Sequence, residues 1–544
     1  PERGTLPLDR FKMMQRHTPR LIPSPFKAHR RPKAFRRQWC AVVAVVVLAS
    51  AFLHACAGLA PRGKAPPAGR PTQSEKYLEA LDDAVTGAGV REASSYQVPG
   101  FPYLRTDRFL AAIKTRLVDE EDKRLWVAEM ARLDSAARQI EIRNLPDEAV
   151  RGLSPAGGPL FDREALLAET SSATASLLEH DRKQPFFFET VKAAAVVPDE
   201  YSTAMRAFGL YPVAAVPITL ATHVAYDTFK KWHRSPLSDL TGEGQLTVFT
   251  AEGDDRGAAE LPAQLFAVAR RNAFGLPELS DADTAALVRF FAPVISQDTV
   301  AGYDRFGEVF WNDRRVAIDQ QRPALYFYIT RSFIGRVPVL QINYALWYSE
   351  RSGRRTPAYE KGPLDGLTLR ISLDRNGQPV MVDIMNTCGC YHFYAPRRER
   401  VEKIVATASG LYPFVPAWLP PEFPDEPLTL RVNSGWHQVE HLYASPAPAD
   451  ALRYRLIAYD GLEALPRSDG SHASVFTAAG IMKDSTRIEP YIFFSVGIPD
   501  IGSMRQRGHH AVKMIGRAHF TDPDIFDDYF VFKPAGQDPI GAAW

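Results

Sequence analysis

The sequence predicts an α+β fold, with a helical N-terminal half followed by a mostly antiparallel, β-rich C-terminal domain. From residue 74 to 183, apolar residues recur at intervals of three and four, which is the spacing of amphipathic helices. Beyond residue 294, short runs rich in β-branched and aromatic residues alternate with turn residues, which is typical of strands. A chain of 544 residues is long enough to bury more than one core.

The N-terminal residues predict an exported, lipid-anchored protein. Five basic residues between Arg30 and Arg37 precede the apolar run Trp39–Leu53, which is too short to span a bilayer comfortably. The following Leu53-His54-Ala55-Cys56 resembles the lipobox of bacterial lipoprotein signal peptides, although His54 is an unusual member. This resemblance implies that Cys56 is lipidated and that Ala57 directs the protein to the outer membrane, facing the periplasm. The alternative is an uncleaved short anchor.

Charge and cysteine content separate this leader from the rest of the chain. Residues 1–37 carry eleven Lys and Arg against two Asp and Glu, so the total of +2 leaves the remainder at −7. A mildly acidic domain without a basic stripe argues against nucleic acid as a partner. Cys40 belongs to the leader and Cys56 is the lipidation site, so only Cys388 and Cys390 remain. Two cysteines are too few for a disulfide-stapled scaffold.

These features divide the chain into five segments. Pro, Gly and Ala dominate the second segment, which predicts a flexible tether, because such a composition cannot build a core. The segments are a leader and lipoprotein signal peptide (1–55), the tether (56–73), an α-helical domain (74–183), a mixed apolar and helical segment (184–293) and a β-rich domain with a Cys/His cluster (294–544).

The mixed segment contains a strongly apolar stretch, Pro212–Leu220, and two further predicted helices. The stretch is short for a membrane span and contains two prolines. Buried packing, an interfacial patch resting on the membrane and a lined ligand groove are the three interpretations. The helices are expected at Pro262–Asn272 and Asp281–Phe291, and Ser280 begins a capping-box pattern before the second.

A hairpin is predicted immediately before the two remaining cysteines. The β-rich runs Leu367–Leu373 and Pro379–Ile384 are separated by a turn that contains Asn376-Gly377, a strong hairpin signal. If the second strand continues, its period of two places Cys388, Cys390 and His392 on one face.

Three interpretations of that cluster compete. Neighbouring strand positions on one face lie about 6.5 Å apart, near the upper limit for a disulfide, so a Cys388–Cys390 bridge would be strained and easily reduced. A soft metal site for zinc or copper would use both thiolates, His392 and a fourth ligand from elsewhere. The third interpretation is two small buried residues beside a packed histidine.

Further histidines could complete such a site. His437-Gln438-Val439-Glu440-His441 matches the H-x-x-E-H pattern, in which two histidines hold zinc and the glutamate activates water. This geometry needs a helix, where the histidines lie about 6 Å apart, because in a strand they lie about 13 Å apart. The flanking residues favour strands, so a single donated histidine and ordinary strand residues are the alternatives.

The C-terminal tail adds three more histidines, which could supply ligands or a general acid or base, or could simply be packed or exposed. Zinc is the expected ion, and Glu440 is the candidate catalytic base. The candidate metal ligands are Cys388, Cys390, His392, His437, His441, His509, His510 and His519.

Several runs together resemble an uncharacterised group of proteobacterial lipoproteins or exported proteins. They are Gly100–Arg105, Gln341–Tyr348, Leu364–Thr368, Cys388–His392 and Gly516–Phe520. The resemblance covers most of the chain after Cys56 and implies a compartment, but no activity.

The leading functional expectation is a membrane-anchored cell-envelope lipoprotein with a Cys/His metal site, acting as a metal-dependent hydrolase. It requires the scattered sulfur and imidazole groups to converge. The alternative is a non-catalytic envelope binding or scaffolding lipoprotein that uses the apolar surface around Pro212–Leu220, and a thiol redox protein is the third. The sequence lacks a Gly-rich phosphate loop, a nucleophile elbow and a dinucleotide fingerprint, which argues against nucleotide-dependent chemistry and serine hydrolysis.

Overall fold

The computed structural model describes residues 69–253, 256–406 and 411–533. The fold is mixed α+β, as the sequence predicts. The signal peptide, most of the tether and Cys56 lie outside the described residues.

Eight of the described helices precede the main sheet, together with one short hairpin. The hairpin consists of β1 (Tyr96–Val98) and β2 (Phe101–Thr106). The helices are α1 (Thr72–Ala88), α2 (Arg108–Ile113), α3 (Glu120–Asn144), α4 (Asp147–Gly152), α5 (Arg163–Asp181), α6 (Phe187–Ala194), α7 (Thr203–Phe208) and α8 (Tyr211–Arg234).

Apolar stripes explain the helices from α1 to α6, and side-chain caps add to them at α2, α3 and α5. Asp119 and Asp122 form a capping box at the start of α3, which satisfies backbone donors that a helix leaves free. Leu78 of α1 and Trp126 of α3 are fully buried in one shared core. The indole of Trp126 also donates to the Leu110 carbonyl of α2 at 2.9 Å. The helical stripes therefore form a core, as predicted.

Four short helices and eight short strands lie outside both the helical part and the main sheet. The helices are α9 (Leu261–Val268), α10 (Asp281–Phe290), α11 (Asp460–Glu463) and α12 (Glu489–Ile492). The strands form the pairs β4 (Arg270–Arg271) with β5 (Pro277–Glu278), β7 (Glu308–Asn312) with β8 (Arg315–Asp319), β14 (Val401–Ile404) with β20 (Phe530–Phe532), and β18 (Leu465–Pro466) with β19 (His472–Ala473).

Ten strands form the main sheet. They are β3 (Gln245–Ala251), β6 (Val294–Thr299), β9 (Ala324–Ile334), β10 (Val337–Arg351), β11 (Gly362–Leu373), β12 (Pro379–Asn386), β13 (Phe393–Pro396), β15 (Leu428–Val432), β16 (Val439–Ala444) and β17 (Leu452–Ala458). Their order across the sheet is β13-β12-β11-β10-β9-β17-β3-β6-β15-β16.

The sheet is mixed. Strands β9 to β13 form consecutive antiparallel ladders, including the predicted β11–β12 hairpin, where Arg370 pairs with Asp383. Parallel pairing then joins β17 to β9 and β3, and β15 to β6. Strand β3 comes from the segment that the sequence assigns to apolar and helical structure. It enters the sheet because β6 and β17 pair with both of its edges.

The central strands β10, β11 and β12 are buried on both faces. Ile342, Leu369 and Ile384 point to one face, into a large apolar core that α9 and α10 help to form. Alternate residues, among them Arg370 and Asp383, point to the other face and are also fully buried. Charged groups inside the sheet therefore need partners from other parts of the chain.

Candidate functional site

The two cysteines lie in a tight turn and not in a strand. Strand β12 ends at Asn386, whose carbonyl accepts from the Gly389 amide at 2.8 Å and whose amide donates to the Cys390 carbonyl at 3.0 Å. Gly389 has a φ of +89°, a conformation that favours glycine. The prediction that the strand continues through Cys388 is wrong, because this glycine reverses the chain direction.

The two cysteines lie on either side of Gly389 in this turn. Cys388 is buried and Cys390 half-buried, and both are free thiols. The Cys390 thiol donates a hydrogen bond to Cys388 and, with help from the charges of Arg351 and Arg487, lowers the pKa of Cys388 to about 7 despite its burial. The same hydrogen bond raises the pKa of Cys390 well above its ordinary value. Cys388 and Cys390, called the thiol pair below, therefore favour a single shared thiolate.

A group of buried charges surrounds Arg351 and is called the ion cluster below. Arg351 donates to both carboxylate oxygens of Asp365, at 2.9 Å each, and to Glu360 at 2.7 Å. Burial raises the pKa of Asp365, but the Arg351 charge and a hydrogen bond from His437 outweigh it and hold that pKa below its usual range. The cluster consists of Asp304, Arg351, Glu360, Asp365 and His437.

His437 connects two carboxylates of this cluster. Its Nδ1 lies 2.8 Å from Asp365 Oδ2 and its Nε2 lies 3.4 Å from Asp304 Oδ1. The imidazole also stacks on the ring of Tyr348 at 3.7 Å. Burial lowers the pKa of His437, but the two carboxylates outweigh burial and raise it. We infer that His437 fastens the loop before β16 to β11, since Asp365 belongs to β11.

Two further charged residues flank the thiol pair. Burial, and then the Cys388 charge, raise the pKa of Glu489 to about 8. Arg487 donates to the Leu364 carbonyl at 2.6 Å, while its Nε and Nη1 have no hydrogen-bond partner among the described residues. Charged groups therefore act on the thiol pair, while Cys388 also packs in an apolar core with Trp347 and Met482.

His392 belongs to a separate network. Its Nε2 lies 2.7 Å from Asp383 Oδ2, and Asp383 also accepts two hydrogen bonds from Arg370, at 2.9 and 2.6 Å. Burial lowers the pKa of His392 more than Asp383 raises it. The Arg370 guanidinium also lies over the ring of Phe520 at 3.7 Å. His392 therefore helps to join β12 to the C-terminal tail.

The H-x-x-E-H residues do not form a zinc-binding helix. Val439–Ala444 is strand β16, so the strand interpretation is confirmed and the helical spacing is absent. His441 faces the ring of His233 at 6.4 Å. Glu440 pairs with Arg355 at 3.0 Å, and its pKa is raised by burial. Glu440 therefore has a structural partner in the fold.

The tail histidines contact the loop that precedes α7. His509 Nδ1 lies 3.0 Å from Glu200, and His519 lies 3.3 Å from Asp199. His510 is fully buried, and burial lowers its pKa to about 3. These contacts attach the tail to the N-terminal half of the chain.

The predicted metal ligands are therefore distributed over several networks. Across the described residues, no group of three or more His, Cys, Asp or Glu side chains is arranged to hold a metal ion. Cys388 and Cys390 are adjacent, but tetrahedral zinc sites need at least three protein ligands. The donor set does not fit zinc in this arrangement, and the metal site stays a prediction.

Helix α8 presents a second candidate site on its outer side. Val213, Val216, Leu220 and Val224 are 70, 62, 65 and 69 % exposed and recur at helical spacing, and they are called the apolar face below. Only Phe229 and His233 of this helix are buried. Buried packing of Pro212–Leu220 is therefore wrong, because the core contact lies near the other end of α8.

More apolar residues adjoin the start of this helix. Phe208 and Leu210 are each 65 % exposed and Tyr491 is 86 % exposed. Their segments are joined, since Arg206 Nε donates to the Val496 carbonyl at 2.7 Å. The segment that carries Phe208 and Leu210 is therefore joined to the segment that follows α12.

Sequence reasoning missed most of the ion cluster. Asp365 is the one residue from which a buried ion pair could have been predicted. It lies inside a β-rich run, and a carboxylate in a buried strand needs a charged partner. Nothing in the sequence indicated which residues would pair with it, since His437 lies far along the chain.

Comparison with protein-family models, with curated proteins and with solved structures gave no match. Among the described residues, no helix combines the length and the apolar character that crossing a bilayer requires. The geometry of these two sites is therefore the evidence that bears on function.

Proposed function

We propose that this protein is a lipid-anchored cell-envelope protein that rests on the membrane surface through the apolar face of α8. In this proposal its role is binding or scaffolding. The observation that carries the proposal is the exposure of four large aliphatic side chains on one side of a single helix. Contiguous exposed apolar patches on soluble proteins mark interaction sites.

The distribution of residues along α8 fits a helix that lies in a membrane interface. Its exposed side carries the four apolar residues from Val213 to Val224, then the acidic Asp227, and then the basic residues Lys231 and Arg234 in the last turn. Such a helix buries its apolar side at the boundary of the acyl chains while basic groups meet anionic headgroups. Transfer of each Val or Leu side chain from water contributes roughly 1.5–3 kcal/mol, before the costs of association.

The lipid anchor makes the membrane the favoured occupant of this face. Even fully extended, the residues between Cys56 and Gly69 span no more than about 45 Å. A lipid on Cys56 would therefore keep the folded part close to the bilayer.

This proposal includes the division into a helical half and a β-rich half that the sequence predicts. The helical N-terminal half, which includes α8, would face the membrane, and the β-rich C-terminal half would present its loops to the periplasm. An outer-membrane location is likewise proposed from the lipobox resemblance.

Vesicle binding tests the proposal. The chain from residue 56 onward, with Cys56→Ser to remove the lipid, should co-sediment with vesicles of phosphatidylethanolamine and phosphatidylglycerol. The double substitution Val216→Glu with Leu220→Glu should reduce binding at least tenfold, because two charges would enter the apolar boundary.

The matched control uses apolar residues elsewhere that are just as exposed. Val118 and Leu160 are 75 and 71 % exposed, and neither lies on α8. Val118→Glu with Leu160→Glu should leave binding unchanged. Equal losses in the two double variants, or none in the α8 variant, would contradict the proposal.

Elemental analysis tests the metal hypothesis separately. If zinc binds at the thiol pair, the purified protein should contain stoichiometric metal, and Cys388→Ser should lose it. Equal metal content in the two proteins would remove this hypothesis.

A further inference from the structure

We propose that a cavity between α2 and the β9–β10 hairpin binds a small apolar carboxylate. The cavity, called the hairpin cavity below, has a volume of about 330 Å³. This volume lies at the lower end of the range for small-molecule sites. The inference is independent of membrane binding. It depends on the apolar lining of the cavity, on an unpaired arginine beside it and on the backbone conformation of that arginine.

Buried apolar side chains form the inner part of the hairpin cavity. Ile113 ends α2, Phe274 lies in the turn between β4 and β5, and Phe333 belongs to β9. All three line the cavity, and each is at most 4 % exposed. Such side chains offer water no hydrogen bonds. The inner part of the cavity therefore favours the apolar part of a ligand.

Arg116 also lines the cavity, but its charge is already paired. Its guanidinium lies over the ring of Phe333 at 3.5 Å and donates to the Asp524 carboxylate at 2.6 Å. It also donates to the Arg336 carbonyl at 3.0 Å. Asp122 is a further lining residue, and its carboxylate accepts a backbone hydrogen bond at 2.8 Å. These groups therefore hold the walls of the cavity together.

Arg336 supplies a charge that is not paired. It lines the cavity and is exposed. Within the described ranges, its guanidinium has no hydrogen-bond partner and no carboxylate at ion-pair distance. The guanidinium fork matches a carboxylate through two parallel hydrogen bonds. A ligand with an apolar body and one carboxylate is therefore complementary to the hairpin cavity.

The backbone of Arg336 is an independent observation. Gly335 and Arg336 are the two loop residues of the hairpin, and their φ angles are +59° and +66°. Such positions favour glycine, because a side chain is strained there. The Asp527 carboxylate holds the loop by accepting from both backbone amides, at 2.7 and 2.8 Å. The chain thus places an arginine where glycine would fit without strain, which indicates a role for the side chain.

Substitution of Arg336 separates binding from stability. The full chain with Cys56→Ser, titrated with 2-naphthoate in a calorimeter, should bind it at one site. Arg336→Gly should weaken binding at least about tenfold, because the carboxylate loses a charged partner. The same variant should raise the midpoint of urea unfolding, because the loop loses its strain. Arg336→Gln should weaken binding equally without raising the midpoint.

An uncharged probe tests the role of the carboxylate. The alcohol 2-naphthalenemethanol has the same rings without the charge. It should bind the wild-type protein and Arg336→Gly with equal affinity. Arg314→Gln removes another exposed arginine, in the turn between β7 and β8, and should leave the affinity for 2-naphthoate unchanged.

Two exposed apolar positions test the place of binding. Val118 lines the cavity and is 75 % exposed, whereas Leu160, 71 % exposed, lies outside it. Val118→Trp should weaken binding of 2-naphthoate at least about tenfold, because the indole would occupy the cavity. Leu160→Trp should leave binding unchanged.

Three results would overturn the proposal. One is the absence of saturable binding of 2-naphthoate to the wild-type protein up to about 1 mM. Another is unchanged affinity in both Arg336 variants. The last is an equal loss of affinity in Val118→Trp and Leu160→Trp.

Discussion

Soluble proteins usually bury apolar side chains and expose charged ones. Helix α8 exposes apolar side chains, and strand β11 buries charged ones. Helix α8 leaves Val213 and Leu220 largely exposed, whereas β11 buries Asp365 and Arg370 completely. The buried charges are matched by partners within the fold, since Asp365 meets Arg351 and Arg370 meets Asp383. We infer that β11 supports the native structure itself, while the outer side of α8 serves a contact outside the chain. Stability and function should therefore be separable by mutation.

The largest expected effect on stability comes from breaking the ion cluster. Asp365→Ala would leave Arg351 and His437 buried without their shared carboxylate. Removing one partner of a buried ion pair costs about 3–5 kcal/mol. Urea unfolding should therefore show a much lower midpoint for this variant.

An exposed ion pair provides the control. Lys183 donates to Glu179 at 2.8 Å on the surface of the helical part, where both side chains are more than 70 % exposed. Lys183→Ala should leave the urea midpoint almost unchanged, because solvent screens exposed pairs. Comparable midpoint shifts in the two variants would mean that burial does not distinguish these ion pairs.

The second prediction concerns the turn of the thiol pair. Gly389→Ala would place a Cβ against the Ala511 carbonyl oxygen at a φ of +89°. Residues forced into such conformations cost about 1–3 kcal/mol each, and the close contact adds to this cost. Gly87→Ala, inside α1 with no atom within 4 Å of the new Cβ, should instead stabilise the protein by about 0.5–1 kcal/mol. Thermal unfolding should move in opposite directions for the two variants.

The third prediction is a pH dependence from Glu489. Its pKa is raised to about 8 in the folded protein from an ordinary value of 4.5. A raised pKa means that the carboxyl group supports folding fully below pH 4.5, and that this support is lost as the pH rises toward 8. Glu489→Gln should flatten the decline in urea midpoint between pH 5 and pH 8. An unchanged slope in this variant would show that Glu489 is not the titrating group.

Local signals in the sequence predicted local structure well. The turn containing Asn376-Gly377 joins β11 to β12, and the Ser280 capping box begins α10 at Asp281. Both features depend on residues a few positions apart. The position of β3 in the main sheet could not be predicted in this way, because its partners β6 and β17 come from distant parts of the chain.

The candidate sites also combine features that the local sequence predicts with features that depend on distant residues. Proximity of Cys388 and Cys390 follows from their spacing, but the turn also depends on the tail at Ala511. On α8, almost every residue from Pro212 to Leu220 is apolar, so hydrophobic periodicity could not indicate which side meets the core. The structure shows that this side is defined by Phe229, farther along the helix.

The smallest expected effect on stability comes from the apolar face itself. Val216→Ser with Leu220→Ser should change the free energy of unfolding by less than about 0.5 kcal/mol for each residue, because exposed side chains pack against little. Phe229→Ala, on the same helix but only 3 % exposed, should cost about 3–5 kcal/mol. Urea unfolding of both variants, alongside vesicle binding, compares the two sides of one helix. If the serine variant were as unstable as the Phe229 variant, the outer side of α8 would belong to the core, and its exposure would no longer indicate a membrane contact.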